Sequence, residues 1–342
     1  MFVRQMRGFV FLVAIVAVIG LVSAGDTFAN SAHKGPIVGG AIAANGSVLV
    51  TMSDHPDHTL MFYDPSTGKG LRRMATGQLG HQSAIALSPN GKLAACGTKR
   101  YGGDNNELII VDAEKGKILH KMRIHVPQME NVLLGVLDLQ FSPDGKKLLV
   151  TTNENLGFIY NPVSGKQLSH FQARIGGLTG ISAAWMPDGK RVLLGSKGDA
   201  ALVDTTNGKV LKTYSDVHRA NFVDVSADGR FAVIADVAKL VVIEVESGKN
   251  VVTFDNKNQV TGVVIGAHSP LVACTDVTQK FVTLYNIKAK KQVARAPIPA
   301  PFLDFPGMSN VQVAGLSVDD QTRLLVVNAP AMPYIIPLGA KK

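Results

Sequence analysis

After its first thirty residues the chain alternates short apolar runs with small polar turns, and no apolar stretch keeps a helical period. Runs such as KKLLVTT, RVLLGS, FAVIAD and RLLVVN are rich in β-branched residues and too short for helices, which predicts strands. A polar-Gly pair punctuates them at Asn45-Gly46, Asn90-Gly91, Asp144-Gly145, Asp188-Gly189 and Asp228-Gly229. Such pairs supply the positive φ that a tight hairpin turn demands. A second turn recurs at Gly68-Lys69, Gly116-Lys117, Gly165-Lys166, Gly208-Lys209 and Gly248-Lys249. Two further copies are degenerate, with Ser269-Pro270 and Asp319-Asp320 at the first turn.

From Asn45 to Asp320 the mean period is about 46 residues, and periods of about 40 to 50 built from short strands mark propeller blades. Seven copies, each supplying strands A to D with A on the axis, predict an all-β fold. It is a seven-bladed β-propeller of four-stranded antiparallel blades, one domain over residues 36–342. The last copy reaches Lys342 just after its C strand. Either residues 25–35 supply a closing strand, the reading preferred here, or that blade keeps three strands.

The segments SPNGKLAACG, SPDGKKLLVTT and MPDGKRVLLGS, followed by LIIVDAEKGK or ALVDTTNGK, resemble the YVTN-type, WD40-like propeller repeats of bacterial exported proteins. The resemblance covers nearly all of residues 36–342. It implies a fold and no activity, because that family shares blades rather than a catalytic motif. The Trp-Asp pair of true WD40 repeats is missing from every copy, and Trp185 falls in an inner strand. A WD40-style polar network is therefore not expected.

Arg4 and Arg7 precede an uncharged run from Gly8 to Ala24 that ends Val22-Ser23-Ala24. A basic start, an apolar middle and a small-residue exit predict a secretory signal over residues 1–24. A spanning helix needs about 20 apolar residues, so an uncleaved anchor is the weaker reading. The mature protein is expected in the periplasm or outside the cell, with a membrane attachment only if cleavage fails. Cys96 and Cys274 occupy equivalent places in two distant repeats, LAACGT and LVACTD, and predict two separate buried thiols rather than a disulfide.

The composition, 46% hydrophobic and 18% charged, suits sheets buried on both faces. The net charge of +9 drops to about +7 once Arg4 and Arg7 are removed. Most of the remaining lysines lie in turns beside acids, a solvated rim rather than a nucleic-acid surface. No nucleic-acid partner is expected, and the protein is expected to be a monomer.

The B–C and D–A connections, which share one end of the ring, differ in length. SKGD and DVAK are tight, whereas SDHPDHT, TKRYGGDNNE, HKMRIHVPQMENVLLG and RAPIPAPFLDFPGMSN are long. The long ones form one arc. Unequal loops on a rigid scaffold are where binding concentrates, so this top face is the candidate site. Ligand-binding candidates are His81, Arg100, Asp104, His125, Glu130, Phe302 and Phe305. Asp54, His55, Asp57 and His58 form a candidate divalent-metal segment, with Zn the natural ion for such ligands. Otherwise no cofactor is expected.

Three functions fit. The first is a binding or scaffold module for a protein or small ligand. The second is a top-face hydrolase or lyase of the lactonase kind, and the third is a metal-binding protein using Asp54–His58. The chain has no CxxCH, Walker loop, GxSxG or HExxH, which sets aside covalent haem and the chemistries of those motifs.

Overall fold

The computed structural model describes residues 33–35, 37–54, 57–77, 81–99, 107–124, 135–152, 155–173, 182–196, 198–217, 219–278 and 280–297, and the strands 313–318, 323–328 and 332–337. Every regular strand or helix among them longer than one residue is a strand. Blade 1 holds β1–β4 (Ile37–Ile42, Leu49–Ser53, Thr59–Tyr63, Gly70–Ala75), and blade 2 holds β5–β8 (His81–Leu87, Leu93–Lys99, Glu107–Asp112, Lys117–Arg123). Blade 3 holds β9–β12 (Val136–Phe141, Leu148–Thr152, Leu156–Tyr160, Gln167–Gln172), and blade 4 holds β13–β16 (Ser182–Trp185, Arg191–Gly195, Ala200–Asp204, Val210–Tyr214). Blade 5 holds β17–β20 (Ala220–Val225, Phe231–Asp236, Lys239–Glu244, Asn250–Asp255), and blade 6 holds β21–β24 (Val260–Ile265, Leu271–Asp276, Phe281–Asn286, Lys291–Pro297). Three strands remain, β25–β27 (Val313–Val318, Arg323–Asn328, Met332–Pro337).

The blades are antiparallel meanders in sequence order. The expectation of seven four-stranded blades is corrected: six are four-stranded, and the last repeat forms the three-stranded sheet β25-β26-β27. That repeat contributes A, B and C strands, and no fourth strand pairs with it among the described residues. Its inner strand β25 packs between β21 and β1, closing the ring of inner strands. The expected closing strand before Pro36 and the expected signal segment both lie outside the described residues.

The turns explain the repeat. Ser142 Oγ donates to Asp144 Oδ1 at 2.6 Å and accepts from the Lys147 amide at 2.9 Å, while Asp144 Oδ1 also accepts from the Lys146 amide. Ser88 with Asn90 and Ser226 with Asp228 repeat this arrangement. Gly145 follows at φ 70°, a conformation that costs glycine little. At the other turn, before the outer strand, degenerate blade 6 has Lys290 at a left-handed φ of 53° where Gly248 stands in blade 5.

Cores lie between blades. Leu60, Phe62 and Met74 of blade 1 pack against Cys96, Ile109 and Val111 of blade 2, and the same layering continues through blades 2 to 6. Cys96 and Cys274 are free and buried in separate layers, as expected. Burial pushes both thiols up to about 12.

A second seam runs along the outer rim. In each outer strand, one residue immediately follows a β-bulge: Arg72, His120, Ser169, Lys212, Val252 and Ala294. Arg72 Nη1 donates to the Ala113 carbonyl and His120 Nε2 meets the Val163 carbonyl at 2.8 Å. Ser169 Oγ donates to Thr205 O at 3.1 Å, and Lys212 Nζ to Glu246 O at 2.7 Å. Each bond reaches the turn of the next blade. Val252 and Ala294 carry no donor, so the seams after blades 5 and 6 lack this link.

Candidate functional site

Blade 1 carries a buried polar network at the end where β2 leads into β3. Strand alternation turns Thr51, Ser53 and Thr59 to one face, and Asp57 closes the loop above them. Asp57 Oδ2 accepts from Thr59 Oγ1 at 2.9 Å, from the Lys34 amide at 3.0 Å and from Arg73 Nη2 at 3.2 Å. Its Oδ1 accepts from Ser53 Oγ. Burial raises the carboxyl, but these donors outweigh it and hold Asp57 well below the usual carboxylate range.

His33 completes the network, with side-chain exposure of only 2%. Its Nδ1 lies 2.9 Å from Thr59 Oγ1 and its Nε2 2.8 Å from Thr51 Oγ1. Because Thr59 donates to Asp57, its oxygen must accept from His33; Nδ1 therefore carries the proton in this assignment, and Nε2 accepts from Thr51. This is the neutral imidazole. Burial drives its pKa down to about 4, against the pull of Asp57 and with the help of Arg73. The Trp-Asp pair that would signal a polar network is missing from this blade as from every other. Blade 1 builds one from His, Asp, Ser and Thr.

The metal segment shares this loop. His58 Nδ1 is 3.6 Å from Asp54 Oδ1, while Asp57 spends both oxygens inside the protein. His55 lies outside the described residues. Among the described residues no three His, Cys, Asp or Glu side chains gather as a metal would require.

A second polar feature lines the axis and was missed in the sequence. Inner strands present an unpaired backbone edge to the channel, and edge N–H groups need partners. Asp138 of β9 caps two of them: Oδ1 accepts from Leu139 N at 2.8 Å, and Oδ2 from Ala183 N of blade 4 at 3.0 Å. Asp224 of β17 does the same for Val225 N at 2.9 Å and Ile265 N of blade 6 at 2.8 Å. Between them, Ser182 Oγ accepts from Val223 N at 3.2 Å. Each of these side chains reaches across to the inner strand of the next blade.

Desolvation pushes Asp138 up to about 6, against its amide and Gln140 hydrogen bonds. Desolvation also raises Asp224, to about 7, and the Asp138 charge adds to that. The clue in the sequence was one Asp in each of two otherwise β-forming strands, VLDLQF and ANFVDV, where Asp is disfavoured. Blades 1, 2 and 6 carry Gly39 and Ala41, Ala84 and Ala86, and Gly262 and Val264 at the two corresponding levels. Among blades 1 to 6, the polar side of the channel is therefore blades 3 to 5.

Of the ligand candidates, His81 opens β5 opposite Lys99. Arg100, Asp104, His125, Glu130, Phe302 and Phe305 lie outside the described residues. No known protein family matches the chain, and no curated protein matches it.

Proposed function

We propose that the protein is an exported propeller, resembling the YVTN-type repeat proteins, that acts as a binding or scaffold module in the periplasm. On this reading the three-stranded sheet serves as a seventh blade. A protein or small ligand sits on the end where the B–C and D–A connections emerge. The observation that carries it is the inequality of those connections. Residues 237–238 alone join β18 to β19, whereas 100–106 join β6 to β7, 124–135 join β8 to β9, and 298–312 join β24 to β25. The long connections stand on one arc of a ring whose cores are tightly packed, and long loops on a rigid base are the usual carriers of recognition. Export rests on the pattern of residues 1–24.

Native mass spectrometry of the mature protein taken from its own cell envelope tests this. The wild type should carry an added mass, and replacing residues 298–312 with a short Gly-Ser connection should abolish it in a protein that still folds. Retention of that mass in the shortened variant, or its absence from the wild type, would sink the proposal.

A further inference from the structure

Blade 6 breaks the charge pattern of the other blades at the end of the ring opposite the long connections. Blades 1 to 5 each carry a carboxylate in the turns of that end: Asp64, Asp112, Asp144, Asp188 and Asp228 in order. Ion pairs there tie Lys115 to Asp112, Arg191 to Asp188 and Glu246, and Arg230 to Glu244. Blade 6 has His268-Ser269-Pro270 in its first turn, and Lys288-Ala289-Lys290-Lys291 where its second turn enters β24. Asp276 is the one carboxylate between Val260 and Pro297. It ends β22 at the other end of the blade, where it accepts from Asn258 and Thr278. Lys288, Lys290 and Lys291 are exposed, and among the described residues none of them forms an ion pair.

Packing lets this turn carry a side chain where its counterparts cannot. In blades 1 to 5 the same place is glycine at positive φ. A Cβ added to Gly165 would come within 2.8 Å of His120, and one added to Gly248 within 2.8 Å of Lys212. Those neighbours are the rim donors of the preceding blade. At the matching register beside blade 6 stands Val252, which is short and carries no donor. Lys290 occupies the glycine place at φ 53°, a conformation that burdens a residue with a Cβ and spares glycine. The strained position thus holds a charge where glycine would fit more easily. Beyond it, Val293 is the extra residue of the β24 bulge and is 41% exposed.

We propose that this corner of blade 6 docks on an anionic lipid surface, with Lys288, Lys290 and Lys291 at the lipid phosphates and Val293 entering the headgroup region. The residue types favour a bilayer over a partner of defined shape. All three cations are lysines, point charges that a plane of phosphates satisfies, whereas a carboxylate or phosphate held at a fixed angle calls for the arginine fork. An exposed apolar side chain beside basic ones is the pairing that interfacial binding uses. Single-stranded nucleic acid would want aromatic side chains for its bases, and residues 286–293 contain none. Docking at this corner leaves the long connections clear of the bilayer and requires nothing of what they hold.

Sedimentation of the mature protein with vesicles tests the docking. At low salt, vesicles of phosphatidylglycerol mixed with phosphatidylcholine should carry the wild type down, and vesicles of phosphatidylcholine alone should not. Salt of about 0.5 M should release it, because such charges are screened within a few ångströms there. Each lysine beside an anionic leaflet is worth roughly a fivefold gain in binding. The combined change Lys288→Gln, Lys290→Gln and Lys291→Gln should therefore weaken binding about a hundredfold. The same loss of charge on other blades, Lys69→Gln with Lys166→Gln and Lys209→Gln, should leave it nearly unchanged. Lys290→Gly should weaken binding roughly fivefold while keeping or raising the melting temperature, since glycine suits that turn. Four results would overturn the proposal: no binding by the wild type, no preference for the anionic vesicles, equal losses in the two triple variants, or a matching loss of binding to a DNA duplex, which would mark a general polyanion surface.

Discussion

Asp138 and Asp224 each hold two edge amides while sitting in surroundings that disfavour their charge. Their folded pKa values lie above the unfolded value near 3.8, so both favour folding in the protonated form. Their contribution is fully present below about pH 4, declines as pH rises through about 6 and 7, and is flat beyond. The size of the loss is on the order of 3 to 4 kcal/mol per residue. Asn in place of Asp keeps the shape, cannot ionise, and gives up one acceptor. Asp138→Asn and Asp224→Asn should therefore be less stable than wild type at pH 5, and the gap should close or reverse by pH 8. Melting curves across that range check it; a gap independent of pH would contradict the assignment.

His33 and Asp57 carry the opposite sign. The lowered His33 pKa makes its contribution complete above about pH 6.5 and lost as pH falls toward 4. Asp57, held low, loses its contribution only below its unfolded value. His33→Ala strands Thr51, Thr59 and Asp57 in a buried site and should cost about 2–3 kcal/mol at neutral pH. Urea titration gives the cost, and amide exchange over residues 51–59 shows whether the loss is local. None of this network was legible in the sequence. His33 precedes the first recognisable strand, and its three partners are common strand and loop residues whose meeting depends on how blade 1 pairs.

At the level of elements, the turns were legible because their chemistry is local. Asp or Asn with Gly at a fixed offset fixes φ, and the structure places all ten of the quoted turn glycines at positive φ. What those glycines face was not legible. An added Cβ at Gly189 meets nothing within 4 Å, whereas one at Gly208 would come within 2.5 Å of Phe171 Cβ. Both substitutions incur the left-handed penalty of about 1 kcal/mol, and only the second collides with the neighbouring blade. Gly208→Ala should lower stability by about 1–2 kcal/mol more than Gly189→Ala. Equal losses would mean that Phe171 is not seated against that turn. The outer-rim donors Arg72, His120, Ser169 and Lys212 escaped notice for a related reason: they share a register and not a residue type.

For the whole molecule, the repeat period gave the propeller and its circular order, because each blade needs its neighbours to bury both faces. The number of four-stranded blades was not legible, since the turn pattern marks each repeat but not whether a fourth strand pairs with it. The two halves of the ring differ in a way no single repeat displays. Blades 3 to 5 bridge their inner edges with Asp138, Ser182 and Asp224, and the latter two blades have short connections. Blades 1, 2 and 6 have small or apolar residues at those levels, and the long connections lie on that arc.

The most direct measurement is hydrogen exchange on the protein isolated with whatever it holds in the cell envelope, compared with the same protein after that material is stripped. Binding at the long-loop end predicts added protection in peptides covering 53–59, 99–107 and 123–136, with the turns at 142–147, 186–191 and 226–231 unchanged. Protection confined to those turns, or no difference between the two states, would contradict the account.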